Sequence, residues 1–327
     1  MSLHSGHMSF VAVALALLLA LGSCGSASNG KDDDVKTRPF PMPKVPSMIG
    51  EADRMQYVAE HFWDDFTSAD KRFPDKDSTI VNGVAKAELE QAAANYSVLL
   101  GNLELDPACK AVERLADRLI KNEDADTSAT VFETVSEIVG RYLYDPNSPL
   151  RDEDLYAPFA AKMADCAYFP QSKREAYADE ARRCGLNRRG TEAADFSFSD
   201  RNGRVYSLYG IKADHIILFF SNPGCTACKE IIETLNSSSA VSDMIASGKM
   251  VVLNIYIDEQ LDEWYKYMPI YPDTWYNGYD HNGIIRAEEL YDVRAIPSLY
   301  LLDKDKTVLL KDAPLEKLMG RFGTEIK

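Results

Sequence analysis

Basic charge is scarce in this sequence. Its 36 Lys and Arg stand against 51 Asp and Glu, for a net charge of −15. Phosphate backbones are bound through clustered cations, so nucleic acid is excluded as a partner, and so is adhesion to an anionic membrane surface by charge alone. Cysteine is scarce as well. Six residues in 327 are too few for a scaffold held by disulfides. The apolar run Phe10–Leu21 is twelve residues long, too short to span a bilayer. No second C-x-x-C and no nearby Cys/His pair accompanies Cys225 and Cys228, so a zinc site is not expected. Against these absences stand 46% apolar and 10% aromatic residues, enough for a buried core. The length implies two folded units and a leader.

The stretch that carries chemistry is Phe219-Phe220-Ser221-Asn222-Pro223-Gly224-Cys225-Thr226-Ala227-Cys228-Lys229. Ile216–Phe220 is a continuous apolar run, as in a central strand covered on both faces. It enters a Pro-Gly turn, and the two cysteines stand where a helix should begin. Their spacing puts both sulfurs on the first helical turn, within reach of a disulfide. Unpaired N–H groups and the partial positive charge of the helix N-terminus favour the thiolate of the first cysteine. A thiolate beside a second thiol is the requirement for reversible disulfide exchange. The pattern therefore predicts a redox-active Cys225–Cys228 disulfide, with no other cofactor and with thiols or disulfides, of proteins or small molecules, as partners.

The run Phe10–Leu21 has the length of the apolar part of a signal peptide, although no Lys or Arg precedes it. Leu21-Gly22-Ser23-Cys24 follows directly and resembles the lipobox of bacterial lipoproteins. That resemblance implies a leader over residues 1–23, lipidation of Cys24, and a membrane anchor in the cell envelope of a Gram-negative bacterium. From Cys24 to residue 47 the chain is polar and then proline-rich (Pro39, Pro41, Pro43, Pro46), which predicts an extended, disordered tether. Asp32–Asp34 is either a surface-display signal or a solvated charge run.

Residues 48–187 read as an all-α domain, with helices expected over 49–67, 86–103, 107–122, 129–144, 152–166 and 171–184. Ala111, Leu115, Leu119 and Ile120 fall on one face of the third, and Asp106-Pro107 reads as its cap and first residue. Cys109, Cys166 and Cys184 lie here. A Cys166–Cys184 disulfide and buried free thiols are both open readings. The pattern Asn147-Ser148-Pro149-Leu150-Arg151-Asp152-Glu153-Asp154-Leu155-Tyr156 resembles the helical domain of unknown function that precedes thioredoxin-like domains in exported bacterial lipoproteins.

Residues 188–327 change period. A hairpin is expected around Asn202-Gly203, strands at 216–220 and 250–257, a last hairpin across 303–306, and helices after Cys225, at Asp258 and at 314–322. The result is an α/β mixed sheet with helices on both faces. The strand–C-x-x-C–helix unit, followed by Tyr291-Asp292-Val293-Arg294-Ala295-Ile296-Pro297-Ser298-Leu299-Tyr300-Leu301-Leu302-Asp303, resembles a thioredoxin-like domain of the TlpA/ResA type. The resemblance implies that Cys225 is the nucleophile, Cys228 the resolving thiol and Pro297 a cis proline beside them. It further implies that Ile296, Pro223 and Gly224 border the bound substrate. Three features depart from the family: Gly224 stands where a Trp is usual, Thr226-Ala227 separates the cysteines, and the strand 216–220 holds no carboxylate. Glu230 is the nearest residue for proton transfer, with a solvent-facing role as its alternative. An extracytoplasmic disulfide reductase is thus expected. The competing readings are a lipid-anchored binding protein using the helical domain, and a peroxidase on the related AhpC/TSA fold, whose chemistry requires Thr where Asn222 stands.

Overall fold

The computed structural model describes residues 36–76 and 79–324. The expected leader, Cys24 and the tether up to residue 35 lie outside them. The chain divides into two compact units, Met1–Tyr142 and Leu143–Lys327.

The first unit is built on helices α1 (Arg54–His61), α2 (Lys86–Gly101), α3 (Leu105–Ala125) and α4 (Val131–Val139). It also holds a hairpin, β1 (Ile80–Val81) and β2 (Val84–Ala85), between the expected helices 49–67 and 86–103 of a domain read as all-α. Asn82 and Gly83 close it with φ of 46° and 75°, the left-handed pair that a two-residue turn demands. In α3, Ala108, Ala111, Val112, Leu115, Ala116 and Leu119 are buried along one stripe. The helix starts earlier than Asp106-Pro107 suggested: Glu104 is its N-cap and Asp106 lies in the first turn. Residues 36–47, expected as tether, have no regular structure, yet Phe40 is buried. Its ring lies 5.3–5.4 Å from those of Phe62, Trp63 and Phe66, and its amide donates to Glu88. Removing one large ring from water is worth about 2 kcal/mol, a contribution that the composition of the segment does not register.

The second unit starts before the boundary expected at 187/188. Helices α5 (Glu153–Ala164) and α6 (Gln171–Cys184) belong to it. Side chains at their ends reach residues far along the chain: Arg151 bonds Asp312 at 3.2 Å, Glu153 pairs with Arg294 at 2.7 Å, and Lys311 donates to the Cys184 carbonyl at 2.8 Å. Such pairings across more than a hundred residues leave no local sequence signal.

A seven-stranded mixed sheet forms the core, in the order β4-β3-β7-β6-β5-β8-β9. Its strands are β3 (Ser197–Asp200), β4 (Val205–Ser207), β5 (His215–Phe220), β6 (Met250–Tyr256), β7 (Tyr276–Tyr279), β8 (Ser298–Asp303) and β9 (Val308–Leu310). The central strand β5 runs parallel to β6 and antiparallel to β8. Its side chains alternate between two cores, as the two-residue period requires. Ile217 and Phe219 face one with Cys228, Leu235, Trp264 and Leu318. Ile216, Leu218 and Phe220 face the other with Phe198, Tyr291 and Tyr300. The helices are α7 (Thr226–Ser237), α8 (Ser239–Ala246), α9 (Leu261–Tyr267), α10 (Ile284–Ala287) and α11 (Leu315–Thr324). Strand β7 was not anticipated. Gly278 within it admits the Phe198 ring, which would lie 2.4 Å from any Cβ placed there.

Candidate active site

Strand β5 is fully covered on both faces and delivers the chain to the edge of the sheet at Ser221. Gly224 then adopts φ +73° with open space around it, so glycine is required here by backbone conformation and not by crowding. This turn sets Cys225 as the N-cap of α7. Its Sγ accepts from the Cys228 amide at 3.1 Å. Cys225 and Cys228 form a disulfide, with Cα atoms 5.2 Å apart. Cys225 is half-buried, whereas Cys228 is 1% exposed.

The Ile296–Pro297 peptide bond is cis and immediately precedes β8. The register pairs Ser298 with Phe220, so Pro297 lies one step beyond, level with Ser221 at the mouth of the C-x-x-C turn. Ile296 is half-buried against both cores. On the other flank, Asn222 donates to Asp258 at 2.6 Å, and Asp258 pairs with Arg286 at 2.6 Å. A cleft of about 900 Å³ opens along this side, lined by Asn222, Pro223, Gly224, Asp258, Glu263 and Arg286 among others.

Beneath the turn, the Ser221 hydroxyl donates to Asn254 Oδ1 at 2.5 Å, and the Asn254 amide donates to Asn277 at 3.1 Å. Both Ser221 and Asn254 are 1% exposed. The Tyr271 hydroxyl faces this pair, and burial pushes its pKa up to about 12. The polar groups under the site are therefore neutral ones.

Residues 213–308 match the family described as thioredoxin-like, and residues 22–182 match a domain of unknown function, DUF5106. A thioredoxin-like protein from Bacteroides caccae is 34% identical, over 88% of this chain and 99% of that one, with a TM-score of 0.75. This chain belongs to the thioredoxin-like proteins. The C-terminal domain of an uncharacterized protein from Bacteroides fragilis is 47% identical over 42% of this chain and 98% of its own, with a TM-score of 0.41. A conserved protein of unknown function from the same species is 36% identical over 41% and 97%, with a TM-score of 0.40. No curated protein matches the chain.

In this thioredoxin-like chain the structure brings Cys225, Cys228, Ile296, Pro297, Pro223 and Gly224 to one end of the sheet. Glu230 is not brought in. It is exposed on α7, two residues and some 200° round the helix from buried Cys228. Cys166 and Cys184 are buried thiols and not a disulfide. Of the aromatic residues between β6 and β8, Tyr271 and Trp275 are buried while Tyr265 and Tyr276 are exposed. Sequence reasoning passed over Ser221, Asn254 and Asp258. A lone Asn inside the apolar run 250–257 was the available signal, because an amide in a central strand must find a partner.

Proposed function

We propose that this protein is an extracytoplasmic thiol-disulfide oxidoreductase of the TlpA/ResA type, working as a reductase. The observation that carries the reading is the Cys225–Cys228 disulfide capping α7 beside the cis Ile296–Pro297 bond. In the dithiol form, the Cys225 thiolate attacks one sulfur of a substrate disulfide. An S–S bond forms to Cys225, and the other substrate sulfur leaves as a thiolate that takes a proton. Cys228, losing its proton, then attacks Cys225 Sγ and expels the second substrate thiolate. Two electrons pass to the substrate, and the enzyme is left as the disulfide seen here. A thiol donor protein restores the dithiol. The two sulfurs do this without a bound cofactor.

Cys225 is the attacking sulfur because it is the more exposed and sits at the helix N-terminus, where the amide of Cys228 and the helix dipole favour the thiolate. Thr226-Ala227 supplies no cation to hold that thiolate further, which favours a reductant over an oxidant. Ile296 offers its backbone to an extended substrate segment, with Pro223 and Gly224 bordering the same opening. The Leu21-Gly22-Ser23-Cys24 lipobox supports anchoring through lipidated Cys24 in a Gram-negative envelope. The reduction potential tests the direction of electron flow. Equilibration against glutathione is expected to give a value nearer −270 mV than −120 mV, the two ends of the thioredoxin-to-oxidase range. A value at the oxidising end reverses the assignment.

A further inference from the structure

The sequence Arg151-Asp152-Glu153-Asp154 places four consecutive charges at the start of α5, and three of them are almost wholly buried: Asp152 8%, Glu153 2% and Asp154 1% exposed. Charges taken out of water are retained only where each is matched, and here they are matched in two directions. One arm runs to the linker after α6: Arg189 bonds Asp152 at 2.7 Å and Asp154 at 2.8 Å. The other runs to the loop that carries the cis proline. Arg294 gives Glu153 Oε1 two hydrogen bonds, from Nε at 3.1 Å and Nη2 at 2.7 Å. The same guanidinium lies 3.9 Å over the Tyr144 ring and donates to the Tyr144 carbonyl. Lys311 stands 2.9 Å from Glu153 Oε2 and also donates to the Cys184 and Leu186 carbonyls. Arg151 bonds Asp312, which faces the Ser298 hydroxyl.

Residues 292–297 have no helix or strand of their own. The loop is gripped at Arg294, two residues before the Ile296–Pro297 bond, and that grip leads to Glu153 in the first turn of α5. We propose that Glu153, through Arg294, is a positioning residue that holds the Ile296–Pro297 loop in register with the C-x-x-C turn. The N-terminal turn of α5 is then a working part of the redox site. This rests on the function proposed above: the loop is what an extended substrate would lie along, and its placement sets how well that segment binds. The dithiol itself is untouched by the grip, so substrate binding and sulfur reactivity should separate.

The test uses the full chain with Glu153→Gln and with the milder Arg294→Lys, which keeps the charge but loses the two-pronged bond and the stacking on Tyr144. Arg189→Gln cuts the other arm of the same cluster and serves as the control. Three quantities are read: hydrogen exchange of the segment 292–299, kcat and KM for a peptide disulfide against a small symmetric disulfide, and the reduction potential. Both test variants should raise the KM for the peptide disulfide about tenfold, the scale on which a misplaced positioning element acts. Exchange in 292–299 should quicken, while the small-disulfide rate and the potential stay as in the wild type. Arg189→Gln should do neither, whatever its melting temperature. Unchanged loop exchange and KM in a folded Arg294→Lys, or equal changes in Arg189→Gln, overturn the proposal. A wild-type chain inert toward every disulfide overturns the function proposed above, and the hydrogen-exchange comparison then decides the anchorage of the loop by itself.

Discussion

Cys225 is at once N-cap, acceptor of the Cys228 amide and half of a disulfide, and each role follows from the turn at Gly224. In the ion-pair cluster at the start of α5, burial outweighs charge pairing at Asp312. Burial pushes its carboxyl up to about 6; the nearby Arg151 pulls it down, and Glu153 pushes it up again. An unfolded Asp titrates near 3.9. The folded state therefore binds this proton more tightly, so the group's contribution to stability grows as pH falls from 6 to 4 and is lost as pH rises through 6. Asp312→Asn should remove that slope. Urea unfolding of wild type and variant at pH 4 and pH 7 should show their difference in stability changing by on the order of 2 kcal/mol. Parallel profiles would rule out a raised carboxyl at this position.

At the scale of elements, what was legible followed period and punctuation. The apolar run 216–220, the Asn202-Gly203 turn and the C-x-x-C at a helix start each carry a local signature, and β5, the β3–β4 hairpin and α7 stand where those signatures put them. Helix α6 was bounded to the residue, since Pro170 precedes it and Gly185 ends it. Strand β7 was missed because Tyr276-Asn277-Gly278-Tyr279 reads as an aromatic loop: its glycine is there to clear Phe198, a contact made across the sheet. The allotment of α5 and α6 to the second unit was equally hidden. Its basis is ion pairs such as Glu153–Arg294 and Arg151–Asp312, whose partners lie 141 and 161 residues apart. The Cys225–Cys228 disulfide was thus readable from spacing, while Ser221, Asn254, Asp258 and Glu153 required the fold.

At the scale of the whole chain, the envelope location is a proposal that rests on the lipobox-like Leu21-Gly22-Ser23-Cys24, and the DUF5106 match, ending at residue 182, runs across the boundary into the second unit. The family match thus groups α5 and α6 with the preceding helices, whereas their packing places them in the second unit. Cys24→Ser should shift the protein from the membrane fraction to the soluble envelope fraction and abolish incorporation of labelled fatty acid, leaving exchange activity unchanged. Equal fractionation of variant and wild type would remove the anchor from the account. The central claim is that Cys225 attacks and Cys228 resolves. Incubating Cys228→Ser with a peptide disulfide and reading the intact mass tests it most directly. The account predicts a stable covalent adduct of one peptide half on Cys225, absent from Cys225→Ser and transient in the wild type. No adduct on the folded Cys228→Ser chain, or the same adduct on Cys225→Ser, would contradict it.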